Sequence, residues 1–310
     1  MNKFKVFFTF IAFFWLLLCG FGAIYAIAVG DTGTSLSAWF GLLINAWALP
    51  IWMLLRYLKP ETFTGDLREP GAFSCVLFGL AIVLLTDIER GLPIYLSLCN
   101  LFVLLVYLYH LSAVGHPQTP AVDTQFPAIV LAGDQKWQAE DFCCERQLRG
   151  VLAVFLRGSY CAGSRDQLHQ IRALMPDLAR RDIGLILFST QPEHKWPAQL
   201  IADIYPRHRP GASTDSDFED GEDDGVASDA ARDAKVVPLL QLDADSENTS
   251  AFVARSAAPL ILRPWVRDAA RPSAWLIDCE GFVLWRELSA NYRLPASVGT
   301  LRGQLFRIDD

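Results

Sequence analysis

The sequence predicts a chain in two unlike parts: four apolar helices that cross a membrane, then an α/β domain whose central strand delivers a cysteine to a helix. Three observations predict this division. Four uncharged apolar runs occupy most of the first 109 residues, and about 20 apolar residues suffice for a helix to cross the hydrocarbon core. Val151 to Ser164, VLAVFLRGSYCAGS, is an apolar run of strand length that closes on Arg-Gly-Ser and Cys161. The segments that follow alternate between short apolar runs and helical periodicity, the pattern of a layered α/β domain.

Composition and charge are divided in the same way. Of the 310 residues 52% are hydrophobic, an excess concentrated in the first 115. The formal net charge of -7 is also local, since residues 211 to 234 hold nine acids against Arg232 alone. The rest of the chain is near neutral, which leaves no basic field for nucleic acid. The acidic stretch has little to bury and repels itself, so it reads as a disordered insertion. Seven cysteines give an odd count with no readable disulfide framework, a pattern that suits a reducing compartment.

The apolar runs are residues 6–28, 36–55, 71–86 and 92–109. For the first, a signal peptide is the competing reading, given Lys3, Lys5 and the small Ala23, Ala26 and Ala28; the run is longer than a signal core of about 7–15 residues. The third is short and could lie partly at the interface. Lys3, Lys5, Arg56, Lys59 and Arg68 fall on one side and Arg90 on the other. Basic residues stay in the cytoplasm, so both termini are expected there if all four spans are real, in a bacterial inner membrane. Losing one span reverses the placement of the second domain. No Asp, Glu, Lys or Arg interrupts a run, which argues against a transport pathway and for an anchor whose partner is the lipid bilayer.

Residues 114–126, rich in Pro, Thr and Gly, read as a linker, and residues 127–310 as the second domain. Ala128 to Leu131 is a short strand candidate, and Cys143 and Cys144 lie in a polar run before the main strand. Val151 to Leu156 has the unbroken apolar character of a strand buried on both faces. Leu168, Ile171, Leu174, Met175 and Leu178 then make one apolar helix face. Gly184 to Ser189 is a second strand, Pro197 to Ile204 a short helix, and Val236 to Leu242 a third strand. Helix Glu247 to Ala254, strand Ala274 to Ile277, a turn at Asp278 to Gly281, strand Phe282 to Leu288 and a helix from Ser297 to Phe306 complete the chain. A right-handed βαβ unit followed by a hairpin and a helix is the element order of a thioredoxin-like fold.

FLRGSYCAGSRDQLHQIRAL and RPSAWLIDCEGFVLWRELSANYRLP resemble, in order and spacing, segments of the peroxiredoxin-like family that joins alkyl hydroperoxide reductase and thiol-specific antioxidant proteins. The resemblance covers about residues 127–308, apart from the acidic insertion. It implies that Cys161 attacks a peroxide or disulfide, with Arg157, Tyr160 and Ser164 around it. It also implies a cis-proline at Pro272 facing the cysteine. The second cysteine of the family motif is Ser164 here, and Val154 and Gly158 replace the proline and threonine of typical peroxiredoxins.

A cysteine at a helix amino terminus is favoured as the nucleophilic thiolate, and Arg157 and Arg165 add positive charge nearby. With Ser164 in the motif, exchange between two thiols within it is impossible. Turnover needs a thiol reductant, a redox partner protein, or Cys143 or Cys144 as resolving thiol; a structural role is the favoured reading of those two cysteines. No Cys/His spacing suggests zinc and no glycine-rich loop a phosphate cofactor. Two functions stay open: a membrane-anchored single-cysteine thiol oxidoreductase or peroxidase, and a catalytically silent thioredoxin-like module tethered for partner binding. In a third reading the spans are the functional unit and the second domain regulates them.

Overall fold

The computed structural model of the chain describes residues 2–30, 35–60, 62–63, 65–204 and 239–309. The acidic segment 211–234 lies outside them. Four apolar helices come first: α1 (Asn2–Val29), α2 (Leu36–Leu58), α3 (Pro70–Thr86) and α4 (Leu92–Val106), the last continued by a wider turn to Leu111. Asn2–Val29, Leu36–Leu58 and Leu92–Leu111 are long and apolar enough to cross a membrane. With 17 residues, α3 is about 26 Å long at 1.5 Å per residue.

Small residues and buried amides carry the packing between these helices, the kind of contact that holds apolar helices together where no water drives their association. Gly79 lets α3 close on α2: a Cβ there would lie 2.6 Å from the Gly41 carbonyl oxygen. A ladder of buried amides ties all four helices. Trp15 Nε1 donates to Asn100 Oδ1 (2.9 Å), Asn100 Nδ2 to Asn45 Oδ1 (3.0 Å), and Asn45 Nδ2 to the Val76 carbonyl (2.9 Å).

The second part begins with β1 (Ile129–Val130), β2 (Lys136–Trp137) and α5 (Ala139–Arg146). Next come β3 (Gly150–Phe155), α6 (Ala162–Arg180), β4 (Ile183–Ser189) and α7 (Ala198–Ile204). After residue 238 follow β5 (Leu240–Gln241), β6 (Val253–Ala254), β7 (Ala269–Ala270), β8 (Ser273–Asp278), β9 (Val283–Leu288) and α8 (Val298–Arg302). The main sheet has the order β5-β4-β3-β8-β9. Its first three strands are parallel, β8 runs antiparallel to β3, and β9 runs antiparallel to β8. Both faces are covered, as the unbroken apolar β3 requires. Leu168, Ile171, Leu174 and Leu178 of α6 pack on Leu152 and Val154, while an aromatic core of Phe126, Trp137, Phe155, Phe188, Phe252 and Trp275 fills the other face. This is a thioredoxin-like domain.

Three expectations change. Residues 247–254 form turns leading into β6 rather than a helix, because Thr249 Oγ1 donates to the carbonyls of Asp243 and Ser246, and the Asp245 N–H donates to the Asp243 carboxylate. Such local bonds compete with the helical ladder. The polar run around Cys143 is helix α5, with Glu140 and Asp141 in its first turn and Arg146 in its last, charges that complement the helix dipole. The closing helix stops at Arg302 and resumes as a tighter turn, Leu305–Ile308. Residues 114–126 are also held: the Val114, Asp123 and Phe126 N–H groups donate to the carbonyls of Ala290, Val283 and Gly281.

Candidate active site

Strand β3 ends at Phe155, and residues 156–160 turn the chain so that Cys161 becomes the N-cap of α6. The turn is built on Gly158, whose φ of +153° and surroundings exclude a side chain: a Cβ would meet Tyr160 Cε1 at 2.5 Å and Gln191 Oε1 at 2.9 Å. Gln191 Oε1 accepts from the Ser159 N–H at 2.7 Å, and the Cys161 N–H donates to the Gly158 carbonyl at 3.0 Å. Ser164 is buried, and its Oγ accepts from the Arg157 N–H at 3.0 Å. Ser164 therefore holds the turn together.

Cys161 is 7% exposed, and its Sγ lies 3.8 Å from the Tyr292 carbonyl oxygen. The Arg157 guanidinium lies 3.7 Å from the centre of the Tyr292 ring and donates to the Ala257 carbonyl at 2.9 Å. Burial opposes the Arg157 charge, yet Tyr160, Tyr292 and Cys161 around it hold its pKa above the ordinary value. Burial pushes the Tyr160 phenol up to about 12, against the pull of Arg157, so it is a neutral donor at physiological pH. Its hydroxyl lies 3.3 Å from the Arg157 carbonyl oxygen.

Pro272 precedes β8, and the pairing of Ser273 with Phe155 sets it at the end of β3 where Cys161 emerges. Contrary to expectation, the peptide bond before it is trans. Arg271 donates to the carbonyls of Ser250 and Ala251. Arg165 turns away toward the helices, 4.3 Å from the centre of the Tyr57 ring.

Neither candidate resolving thiol is near. Cys143 and Cys144 lie on α5, and Cys143 sits close enough to Asp278 and Cys279 to feel their charge. Asp278 pairs with Gly150, at the start of β3. The six residues of β3 separate that end from Cys161 by about 17 Å at about 3.3 Å per residue. Cys143 is also buried, which pushes its thiol up to about 12; Cys144 and Cys279 are exposed. Among the described residues no cluster of His, Cys, Asp or Glu could hold a metal ion.

The structure adds residues that the sequence did not single out. Asn291, Tyr292 and Arg293 follow β9 and join the site to the helices. Asn291 Nδ2 donates to Ser112 Oγ at 2.7 Å, and Arg293 donates to Glu69 Oε1 at 2.6 Å and to the Leu108 carbonyl at 3.1 Å. Glu69, fully buried before α3, also accepts from Arg56 and, at 2.7 Å, from Trp52 Nε1. Gly163 permits the close approach of the Tyr292 backbone to the start of α6, since a Cβ there would lie 2.9 Å from the Tyr292 carbonyl. The charge count already marked Arg56, but only as an indicator of topology.

A cleft of about 340 Å³ opens beside Cys161. Arg157, Tyr160 and Pro272 line it from the sheet domain, and Val6, Phe10 and Phe13 from α1. Fold and site together define a thioredoxin-like domain with a single thiol at a helix start, walled on one side by an apolar helix.

No family model matches the sequence, and no curated protein matches it. Similar solved structures include a mutant of peroxiredoxin 6 from Arenicola marina, at 13% identity and a TM-score of 0.39, covering 62% of this chain and 73% of that one. AhpC from Mycobacterium bovis matches at 13% identity and a TM-score of 0.35, over 62% and 93%. A thiol peroxidase from Chromobacterium violaceum matches at 14% identity and a TM-score of 0.34, over 64% and 92%.

Proposed function

We propose that this chain is a membrane-anchored thiol peroxidase in which Cys161 is the nucleophile. All four apolar helices cross a bacterial inner membrane in this reading, with the thioredoxin-like domain on the cytoplasmic side, where basic residues are retained. The observation that carries it is the setting of Cys161: N-cap of a 19-residue helix, with the half-buried Arg157 nearby and a cleft beside it. Helix dipole and guanidinium both favour negative charge at that point.

The Cys161 thiolate attacks the terminal oxygen of a hydroperoxide. The S–O bond forms as the O–O bond breaks, sulfur loses two electrons, and the departing alkoxide takes a proton from water to leave as an alcohol. The sulfenic acid condenses with an external thiol, releasing water, and a second thiol reduces that disulfide. The donor is external because Cys143 and Cys144 lie at the far end of β3. Peroxide-dependent sulfenic acid labelling of the full-length protein tests the reading: Cys161→Ser abolishes it, and undiminished labelling of that variant refutes it.

A binding role is the second reading, favoured by the commitment of Ser164 Oγ to the Arg157 N–H. In that case Cys161 is inert toward peroxide and Cys161→Ser leaves partner binding intact.

A further inference from the structure

Strands β6 and β7 pair as a two-stranded ribbon, and the chain between them leaves the sheet domain as a loop, residues 255–268. Its shape is fixed by its own hydrogen bonds. The Ser256 N–H donates to Asp268 Oδ1 at 2.6 Å across the base, and at the tip the Trp265 and Val266 N–H groups donate to the Leu262 carbonyl at 2.9 and 2.8 Å. The tip nevertheless turns apolar side chains outward: Ile261 is 68% exposed and Trp265 75%. An indole joins a large apolar ring to one polar N–H, which is why tryptophan gathers at the boundary between membrane and water.

The loop is also basic. Arg255, Arg263 and Arg267 lie in the stretch 255–267, which contains no acid; Asp268, the next residue, is engaged by the Ser256 N–H. Among the described residues nothing accepts a hydrogen bond from Nε or Nη2 of Arg263, so its guanidinium can swing to a new acceptor without giving up a bond at either nitrogen. Phosphate is the acceptor that a guanidinium matches in both geometry and charge.

The loop meets α1 at its amino-terminal turns. Asn2 Nδ2 donates to the Arg255 carbonyl at 3.2 Å, and the short turn Leu260–Leu262 packs against α1. At 28 residues, α1 is about 42 Å long, while about 30 Å of hydrocarbon needs only about 20 residues. Lys3 and Lys5 belong outside the hydrocarbon, which places the first turns of α1 in the headgroup layer. Contact with those turns sets Ile261 and Trp265 at the same level, and the two lysines extend the positive charge of the loop.

We infer that loop 255–268 is a membrane-docking element: the Leu260–Leu262 turn and Trp265 enter the headgroup layer of the bilayer that the helices cross, and Arg263 and Arg267 take phosphates of anionic phospholipids. Basic side chains beside an anionic leaflet are drawn to it. The inference rests on the membrane-anchored part of the reading above and is independent of the chemistry of Cys161. It gives the sheet domain a second attachment, so that the domain lies against the bilayer instead of standing off it.

The test places the full-length protein in nanodiscs of phosphatidylcholine with or without phosphatidylglycerol, with acyl chains brominated near the headgroup to quench any indole that touches them. Emission of the parent minus that of Trp265→Phe isolates Trp265. With phosphatidylglycerol present, the brominated lipid removes most of the Trp265 emission; in phosphatidylcholine alone it removes less. Arg263→Gln combined with Arg267→Gln cancels that difference, and Arg263→Lys combined with Arg267→Lys keeps it, because charge is what the anionic lipid reads. The Trp265→Phe protein reports on the remaining indoles, among them Trp15 on α1 and Trp39 and Trp47 on α2. If these are quenched and Trp265 is not, the loop faces water or another protein; the inference falls and the anchor stands. Equal quenching of Trp265 in both lipid mixtures also overturns the inference. If no indole is quenched, the membrane reading and the inference fall together.

Discussion

Glu69 is the buried acid that joins the helical region to the site, and Glu69→Gln measures what that junction contributes. The carboxylate is fully buried and contacts two guanidinium groups, those of Arg56 and Arg293, each 1% exposed. Converting it to an amide keeps the shape and leaves two buried positive charges facing one neutral oxygen. Breaking a buried ion pair by removing one partner costs about 3–5 kcal/mol. With about 2–4 °C lost per kcal/mol in a large domain, the expected fall in Tm is on the order of 6–20 °C. Near-UV circular dichroism of the detergent-solubilised protein reads this directly. Arg293→Met leaves Arg56 and Glu69 paired, so it costs less than Glu69→Gln. A Glu69→Gln protein that melts within about 1 °C of the parent refutes the reasoning, as does Arg293→Met proving the more damaging change.

Two further outcomes follow from the cysteines. Ser164→Cys removes the acceptor of the Arg157 N–H, at a cost of about 1 kcal/mol, and restores a second thiol three residues after Cys161. Peroxide then yields an internal disulfide, seen by mass spectrometry as the loss of two hydrogens; a persistent sulfenic acid in that variant shows the sulfurs do not meet. For Cys143 the folded pKa, pushed to about 12 by burial, lies above the unfolded value near 9. The unfolded chain therefore binds fewer protons between those values, and stability falls as pH rises through that range. Cys143→Ala flattens this alkaline loss in pH-dependent melting, and an unchanged slope assigns the loss to other groups.

Much of the architecture was legible because it rests on local pattern. The unbroken apolar run at β3, the apolar stripe on α6 and the hairpin of β8 and β9 each announce themselves within twenty residues. Cys161 was legible for the same reason, since the strand, the glycine turn and the helix start are contiguous. Glu69 and Arg293 were not: they are 224 residues apart, and each reads alone as an ordinary loop charge. The α1 wall was equally hidden, because an apolar helix long enough to cross a membrane gives no sign that one face lines a reactive thiol. The turns at 247–254 depart from the expected helix because Asp243 and Thr249 satisfy the backbone locally.

The short sequence Asn291–Tyr292–Arg293 touches the Cys161 sulfur with one residue and the helices with its two neighbours. The helical region and the sheet domain are thus not separable modules. A shortened protein beginning near Pro127 would bare the Arg293 charge and the apolar Leu260–Leu262 turn to water. It would also remove the α1 wall of the cleft beside Cys161, so the reactivity of that thiol in the shortened protein would not report on its setting in the whole chain.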